Sequence, residues 1–215
     1  MPDRPSRMDL VLALLAAGSG AADVFAFVRL GRVFTSAMTG NTALFALALA
    51  QGHVAAAARS VAAFAGFVTG AGIGALPRVR RMGFGKTLWL EAAILAAAPV
   101  LWWLRAGLRP LIIVSAAGMG LQSLLARRVD APGITTTYFT GTLASIVQSI
   151  MGAAPRVAFP YATKRQLAVF AAYVVGAVAG GLAGGPVPGA AAALPALAAT
   201  VAAVALSTGA RTQAP

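Results

Sequence analysis

The chain has 215 residues, 59% of them hydrophobic and only 10% charged, against about 25% charged in a soluble domain. Its net charge of +12 would point to nucleic acid in a soluble protein. Here the basic residues sit at the ends of long apolar runs and form no helical face interleaved with aromatics. Nucleic acid is therefore not an expected partner, and anionic lipid head groups are. Cysteine is absent, which excludes disulfides, thiolate metal sites and cysteine nucleophiles. The single histidine, His53, reads as a loop residue beside Gln51 and Gly52 and cannot build a metal cluster alone.

Eight apolar segments are predicted, over 10–29, 34–51, 55–76, 86–104, 109–126, 135–151, 166–184 and 188–207. A run of ~20 apolar residues matches a hydrocarbon layer of ~30 Å at ~1.5 Å per helical residue. The first segment follows Arg4 and Arg7 and resembles a signal peptide in its opening. It continues apolar through Val28, so it is expected to stay as a helix. The second and sixth segments differ from the rest. One opens with Thr35, Ser36, Thr39, Gly40, Asn41 and Thr42, the other with Thr135, Thr136, Thr137, Tyr138, Thr140, Gly141 and Thr142. Only about ten apolar residues follow in each, enough for ~15 Å of helix, half of the layer. Each is read as a re-entrant hairpin, an extended limb followed by a half-helix.

Charge bias supports this reading. If all eight segments cross, the basic residues split almost evenly, nine against eight. If the second and sixth re-enter, twelve share the side of the termini and five (Arg29, Arg32, Arg59, Arg105 and Arg109) take the other. That asymmetry fits the positive-inside rule with both termini in the cytoplasm.

The chain also repeats itself. Ala16-Ala17-Gly18-Ser19-Gly20 returns as Ala116-Ala117-Gly118-Met119-Gly120, and Met38-Thr39-Gly40-Asn41-Thr42 is echoed by Phe139-Thr140-Gly141-Thr142-Leu143. Phe64-Ala65-Gly66-Phe67 through Ala71 aligns with Phe170-Ala171-Ala172-Tyr173 through Ala177. The expected fold is an all-α polytopic transmembrane bundle of two inverted repeats, 1–105 and 106–215, forming one integral membrane domain. Each repeat holds three helices plus a re-entrant half-helix hairpin. Eight crossings in two parallel repeats is the alternative. Gly66, Gly70 and Gly74, like Gly176, Gly180 and Gly184, share a helix face at a spacing of four. Such stripes let membrane helices approach closely, so these two equivalent helices are expected to pack tightly within the protein. Association of two copies through the same stripes is the secondary expectation.

The polar residues suggest chemistry. A half-helix start exposes unpaired N–H groups and a partial positive charge, and hydroxyls and amides there cap it or hold a solute. Thr39, Gly40, Asn41 and Thr42, with Thr137, Tyr138, Thr140, Gly141 and Thr142, are candidate ligands for a small polar or anionic solute at the membrane midplane. Gln122 joins them across the repeat axis. Simple capping is the competing explanation. Asp23 is costly inside a membrane; it is expected to couple a proton or cation, or to pair with Arg29 or Arg32. Glu91, near Lys86, reads as an interfacial residue. No HExxH, GxGD or GxSxG pattern occurs, so neither an enzyme nor a cofactor is expected.

The stretch from Gly18 through Asp23, Arg29, Gly31 and Phe34 to Met38-Thr39-Gly40-Asn41-Thr42 resembles the YoaK-like family of bacterial membrane proteins, known chiefly as a domain of unknown function. Gly118-Met119-Gly120-Leu121-Gln122, Pro132-Gly133 and Thr136 through Thr142 are similar to its second signature. The resemblance implies a small protein of the bacterial inner (plasma) membrane with about six helices, and it supplies no substrate. Function is expected to be transport of a small solute, with a passive channel or a non-transporting scaffold or assembly factor as alternatives.

Overall fold

The computed structural model describes residues 6–129, 139–152 and 161–211, and among them it is helical throughout, with no strand. The helices are α1 (Arg7–Arg29), α2 (Met38–Ala50), α3 (Val54–Ala75), α4 (Pro77–Arg80), α5 (Phe84–Trp103), α6 (Leu108–Ala126), α7 (Phe139–Gly152), α8 (Tyr161–Gly184) and α9 (Pro188–Arg211). Six of them, α1, α3, α5, α6, α8 and α9, are long and apolar enough to cross a bilayer, while α2 with 13 residues is not. Large apolar side chains stay on the outside, with Trp103 77% and Leu182 73% exposed. A soluble protein rarely leaves so much apolar surface open, and lipid is the natural cover.

Helices α1 and α6 are the most buried spans. Their packing partners come from the far half of the chain: α1 lies along α8, and α6 along α3. Glycines make both seams. A Cβ at Gly20 would stand 2.1 Å from the Tyr173 carbonyl oxygen, and one at Gly176 1.9 Å from that of Ala17. Across the other seam a Cβ at Gly120 would stand 2.1 Å from the Phe67 carbonyl oxygen, and one at Gly70 1.8 Å from that of Ala117. Backbone meets backbone, as membrane helices do when small residues replace hydrophobic drive. The two glycine stripes therefore do not pack on each other. Gly66, Gly70 and Gly74 face α6, Gly176 and Gly180 face α1, and Gly184 has open space where a side chain would be.

A third seam joins α5 to α9. Leu88, Ala92 and Leu95 of α5 meet Ala196, Ala199, Ala202 and Ala203 of α9, with Val11 and Leu15 of α1 and Met119 of α6. Pro99 and Pro195 sit inside α5 and α9, where each removes one helical hydrogen bond.

Two boundaries differ from the sequence reading. Helix α2 begins at Met38 rather than 34, because the backbone before it is held elsewhere, as described below. Helix α8 begins at Tyr161 rather than 166, and polar anchors explain why. Ser6 caps α1 through a reciprocal bond with Asp9. The Asp9 oxygen that accepts from Ser6 also takes the Tyr161 hydroxyl, and the other oxygen lies 2.6 Å from Nε of Arg165. The basic turn that ended the apolar pattern is thus the first turn of the helix. Arg128 ties the same end of the bundle together, donating to the carbonyls of Gly74 (3.1 Å) and Val79 (3.4 Å) and to the Thr87 hydroxyl (3.2 Å).

Candidate functional site

Helix α1 ends in a tight elbow. Leu30 closes it, then Gly31 and Arg32 turn the chain at φ 90° and 62°. A positive φ at a side-chain-bearing residue costs about 1 kcal/mol, so the elbow must hold Arg32 there. Asp23 supplies much of that hold. One carboxylate oxygen accepts from the backbone N–H groups of Thr35 (2.8 Å) and Ser36 (2.7 Å) and from the Thr35 hydroxyl (3.1 Å). The other accepts from the Ser36 hydroxyl (2.6 Å) and from Tyr173 of α8 (3.1 Å). Asp23, Thr35 and Ser36 are all buried. Five donors thus satisfy one buried carboxylate, and a buried acid persists only with such partners. Arg29 is engaged elsewhere: its Nε and Nη2 donate to the carbonyls of Gly184 and Gly185. The expected pairing of Asp23 with Arg29 or Arg32 is replaced by hydroxyl and backbone donors.

Asn41 closes the other side of the elbow. Its amide pairs in both directions with the backbone of Phe34, accepting from N–H at 2.9 Å and donating to C=O at 2.7 Å. Phe34 stacks on Phe27 with ring centroids 5.2 Å apart. A Cβ at Gly40 would come within 2.9 Å of the Phe34 ring, so glycine leaves room for this clasp. Thr39 and Thr42 point outward, and the Thr42 hydroxyl returns to the Met38 carbonyl at 3.0 Å.

The remaining sequence candidates fall apart in space. Gln122 is buried in α6 and donates to the Leu15 carbonyl (3.1 Å) and the Ser19 hydroxyl (2.8 Å), tying α6 to α1. Thr137 and Tyr138 lie outside the described residues, as do the side chains of Thr140 and Thr142; Gly141 begins α7 with open space around it. Among the described residues α2 packs on α3 and α7 on α8, so the two half-helices share no seam.

The chain offers instead a cavity of about 370 Å³ between the elbow, α2 and α3. Leu44, Leu47 and Ala48 form its apolar wall, and Arg32, Gln51, His53, Arg59 and Ser60 its polar one. Arg59 spends Nε on the Gly31 carbonyl at 3.0 Å, which leaves its two terminal nitrogens facing outward from that bond. Among the described residues no carboxylate pairs with Arg32 or Arg59. From sequence these two arginines entered the charge census, Arg32 also as a candidate partner of Asp23, and neither had a binding role. The signal that would have found them is their position on either side of a polar half-helix.

Glu91 overturns its interfacial assignment. It is 0% exposed in the middle of α5, and neither carboxyl oxygen has a hydrogen-bond partner among the described residues. The spacing Leu88, Glu91, Ala92, Leu95 puts it on the core-facing side of the helix.

Fold and surface together define a polytopic α-helical membrane protein. The family model described as a protein of unknown function (DUF1275) matches residues 11–206, nearly the whole chain. The chain belongs to that family. It is 35% identical over 150 residues to the UPF0700 transmembrane protein YoaK of Bacillus subtilis (strain 168), covering 66% of this chain and 67% of that one. No solved structure matches it.

Proposed function

We propose that this protein is a membrane transporter for a small anionic or polar solute, bound beside the elbow between α1 and α2. The observation that carries this reading is the cavity of about 370 Å³ with Arg32, Arg59 and His53 on its wall and no acid facing them among the described residues. An apolar wall with a few convergent polar groups suits a small ligand, and two guanidinium groups suit a carboxylate or phosphate-like anion. In reconstituted vesicles, uptake from a panel of small anions and organic acids should exceed that of empty vesicles, and Arg32→Gln should reduce it severalfold without loss of folded protein. Uptake no greater than in empty vesicles across the panel would remove the transport reading.

A non-transporting scaffold is the second reading, and one observation favours it. Thr35 and Ser36 spend their side-chain and backbone donors on Asp23, and Asn41 spends its amide on the Phe34 backbone, so none of them is aimed at a solute. The same saturation favours an anchoring role for Asp23 over the coupling role.

The reading includes two inverted repeats with re-entrant α2 and α7, in a bacterial inner membrane with both termini cytoplasmic. The matched glycine seams, α1 on α8 and α6 on α3, support the duplication. The shortness of α2 and the basic bias toward the side of the termini support re-entry and orientation. The chain lacks cysteine, so single cysteines are clean probes. An impermeant thiol reagent added to intact cells should label positions 32 and 53 and spare 130 and 156. Labelling of one member of each pair would make both half-helices true crossings.

A further inference from the structure

The acid that the elbow does not use is Glu91, and its surroundings define what it does. Close approaches fix the helix register around it. Gly118 of α6 meets Leu95 and Arg128 meets Thr87, which sets Glu91 level with Gln122 and Ser123. Gly85 meets Leu206 of α9 and Gly189 meets Trp102 and Trp103, which sets it level with Thr200. Every one of those polar neighbours has its donors committed. Gln122 gives its amide hydrogens to Leu15 and Ser19, Ser123 its hydroxyl to the Met119 carbonyl (3.0 Å), and Thr200 its hydroxyl to the Ala196 carbonyl (2.8 Å).

Among the described residues no charge compensates Glu91 either. On α1, Asp9 is engaged by Ser6, Tyr161 and Arg165, and Asp23 by the elbow and Tyr173. Arg7 and Arg29 stand at the two ends of that helix. On α6, Arg109 is at the opposite end, and Arg128 beyond it spends its guanidinium on Gly74, Val79 and Thr87. On α9 the charged residue is Arg211, at its far end. On α5 itself, Lys86 lies more than a turn away, in the first turn. An unpaired carboxylate in such a place costs several kcal/mol, so the group holds its proton in this conformation.

We infer that Glu91 is a proton-binding site in the membrane core, loaded here and discharged when the α5–α9 seam opens. That seam is the one in which both helices are interrupted by proline, Pro99 and Pro195, and a missing helical hydrogen bond is a recognised point of bending. In the discharge step the carboxyl O–H bond breaks, the proton passes to water admitted along the seam, and the carboxylate remains until a proton returns. Coupling of this cycle to solute movement rests on the transport reading, whereas proton binding does not.

Glu91 is the only glutamate in the chain, so an isotope can report on it alone. Cell-free synthesis with glutamate carrying carbon-13 at the side-chain carboxyl, followed by reconstitution, gives a single labelled acid for infrared or solid-state magnetic resonance. At neutral pH the label should show a protonated carboxylic acid whose proton exchanges with deuterium, and the signal should convert to carboxylate as pH rises. A carboxylate signal at every pH would overturn the site. So would a protonated signal that neither exchanges nor titrates while the protein stays folded. Under an imposed pH gradient, Glu91→Gln should lose solute accumulation. If wild-type protein moves no solute at all, the transport reading fails while the isotope signal still decides the proton site.

Discussion

Two of the three acids on the described membrane helices, Asp23 and Glu91, are buried well inside them, and they are treated in opposite ways. Asp23 accepts from five donors drawn from α8 and from the segment leading into α2, while Glu91, equally buried, accepts from none among the described residues. Burial alone therefore does not tell a structural acid from a functional one. What separates them is whether the fold has spent other groups on satisfying the charge. At Asp23 it has bent a whole segment of backbone around the carboxylate. At Glu91 the hydroxyls and amide at the same level have turned to their own helices or to α1. A group left in that condition is either neutral or awaiting a partner from outside.

Stability measurements can break this contrast, because the two acids should respond with opposite signs. The largest effect is expected at Asp23→Ala. It strands the buried N–H groups of Thr35 and Ser36 together with three hydroxyls, and loss of about 3–5 kcal/mol is expected from removing one side of a buried charged network. Yield of folded protein in detergent and its melting temperature should both fall sharply. Asp23→Asn keeps one good acceptor, and the hydroxyls of Ser36 and Tyr173 can reverse to accept, so a loss of about 1–2 kcal/mol sharpens the same point. Glu91→Leu should go the other way. Replacing an unpartnered buried acid by an apolar side chain of similar volume should raise stability by about 1–2 kcal/mol. A lower melting temperature in Glu91→Leu would mean that the carboxyl has partners, and the distinction between the two acids would collapse.

Much of the fold was legible because the bilayer simplifies the problem. Backbone polar groups must be satisfied within the chain, so long apolar runs can only be helices, and the six long helices follow from length alone. The glycine stripes announced close packing but not with whom, since a stripe is a shape without an address. Asp23 stood out as an isolated acid, and Thr35, Ser36 and Asn41 as an unusual polar cluster. That Asp23 takes Thr35 and Ser36 while Asn41 clasps the Phe34 backbone, and that Tyr173 reaches Asp23 from 150 residues away, depends on tertiary packing that no local pattern encodes. Glu91 was misread for an instructive reason. Its nearness to Lys86 suggested a segment end, but α5 begins at Phe84, and the spacing of Leu88, Glu91, Ala92 and Leu95 already placed the acid on the buried face. Periodicity carried the answer where sequence proximity misled. The cationic cavity had only an indirect signal, the position of Arg32 and Arg59 on either side of a polar half-helix, because the two come from different elements.

The α1–α8 seam also sets a timetable. Helix α1 leaves the ribosome well before α8, yet the backbone surface it fits belongs to α8, and Tyr173 must arrive before the last donor reaches Asp23. Until then α1 waits in the membrane with its tightest face against lipid. Helix α3 waits likewise for α6. A nascent chain halted after α5 would hold two glycine-lined grooves with nothing in them, a ready target for quality control or for the wrong neighbour. Biogenesis of this protein is therefore a closing of clasps late in synthesis, and the halves cannot be made as separate, self-sufficient pieces.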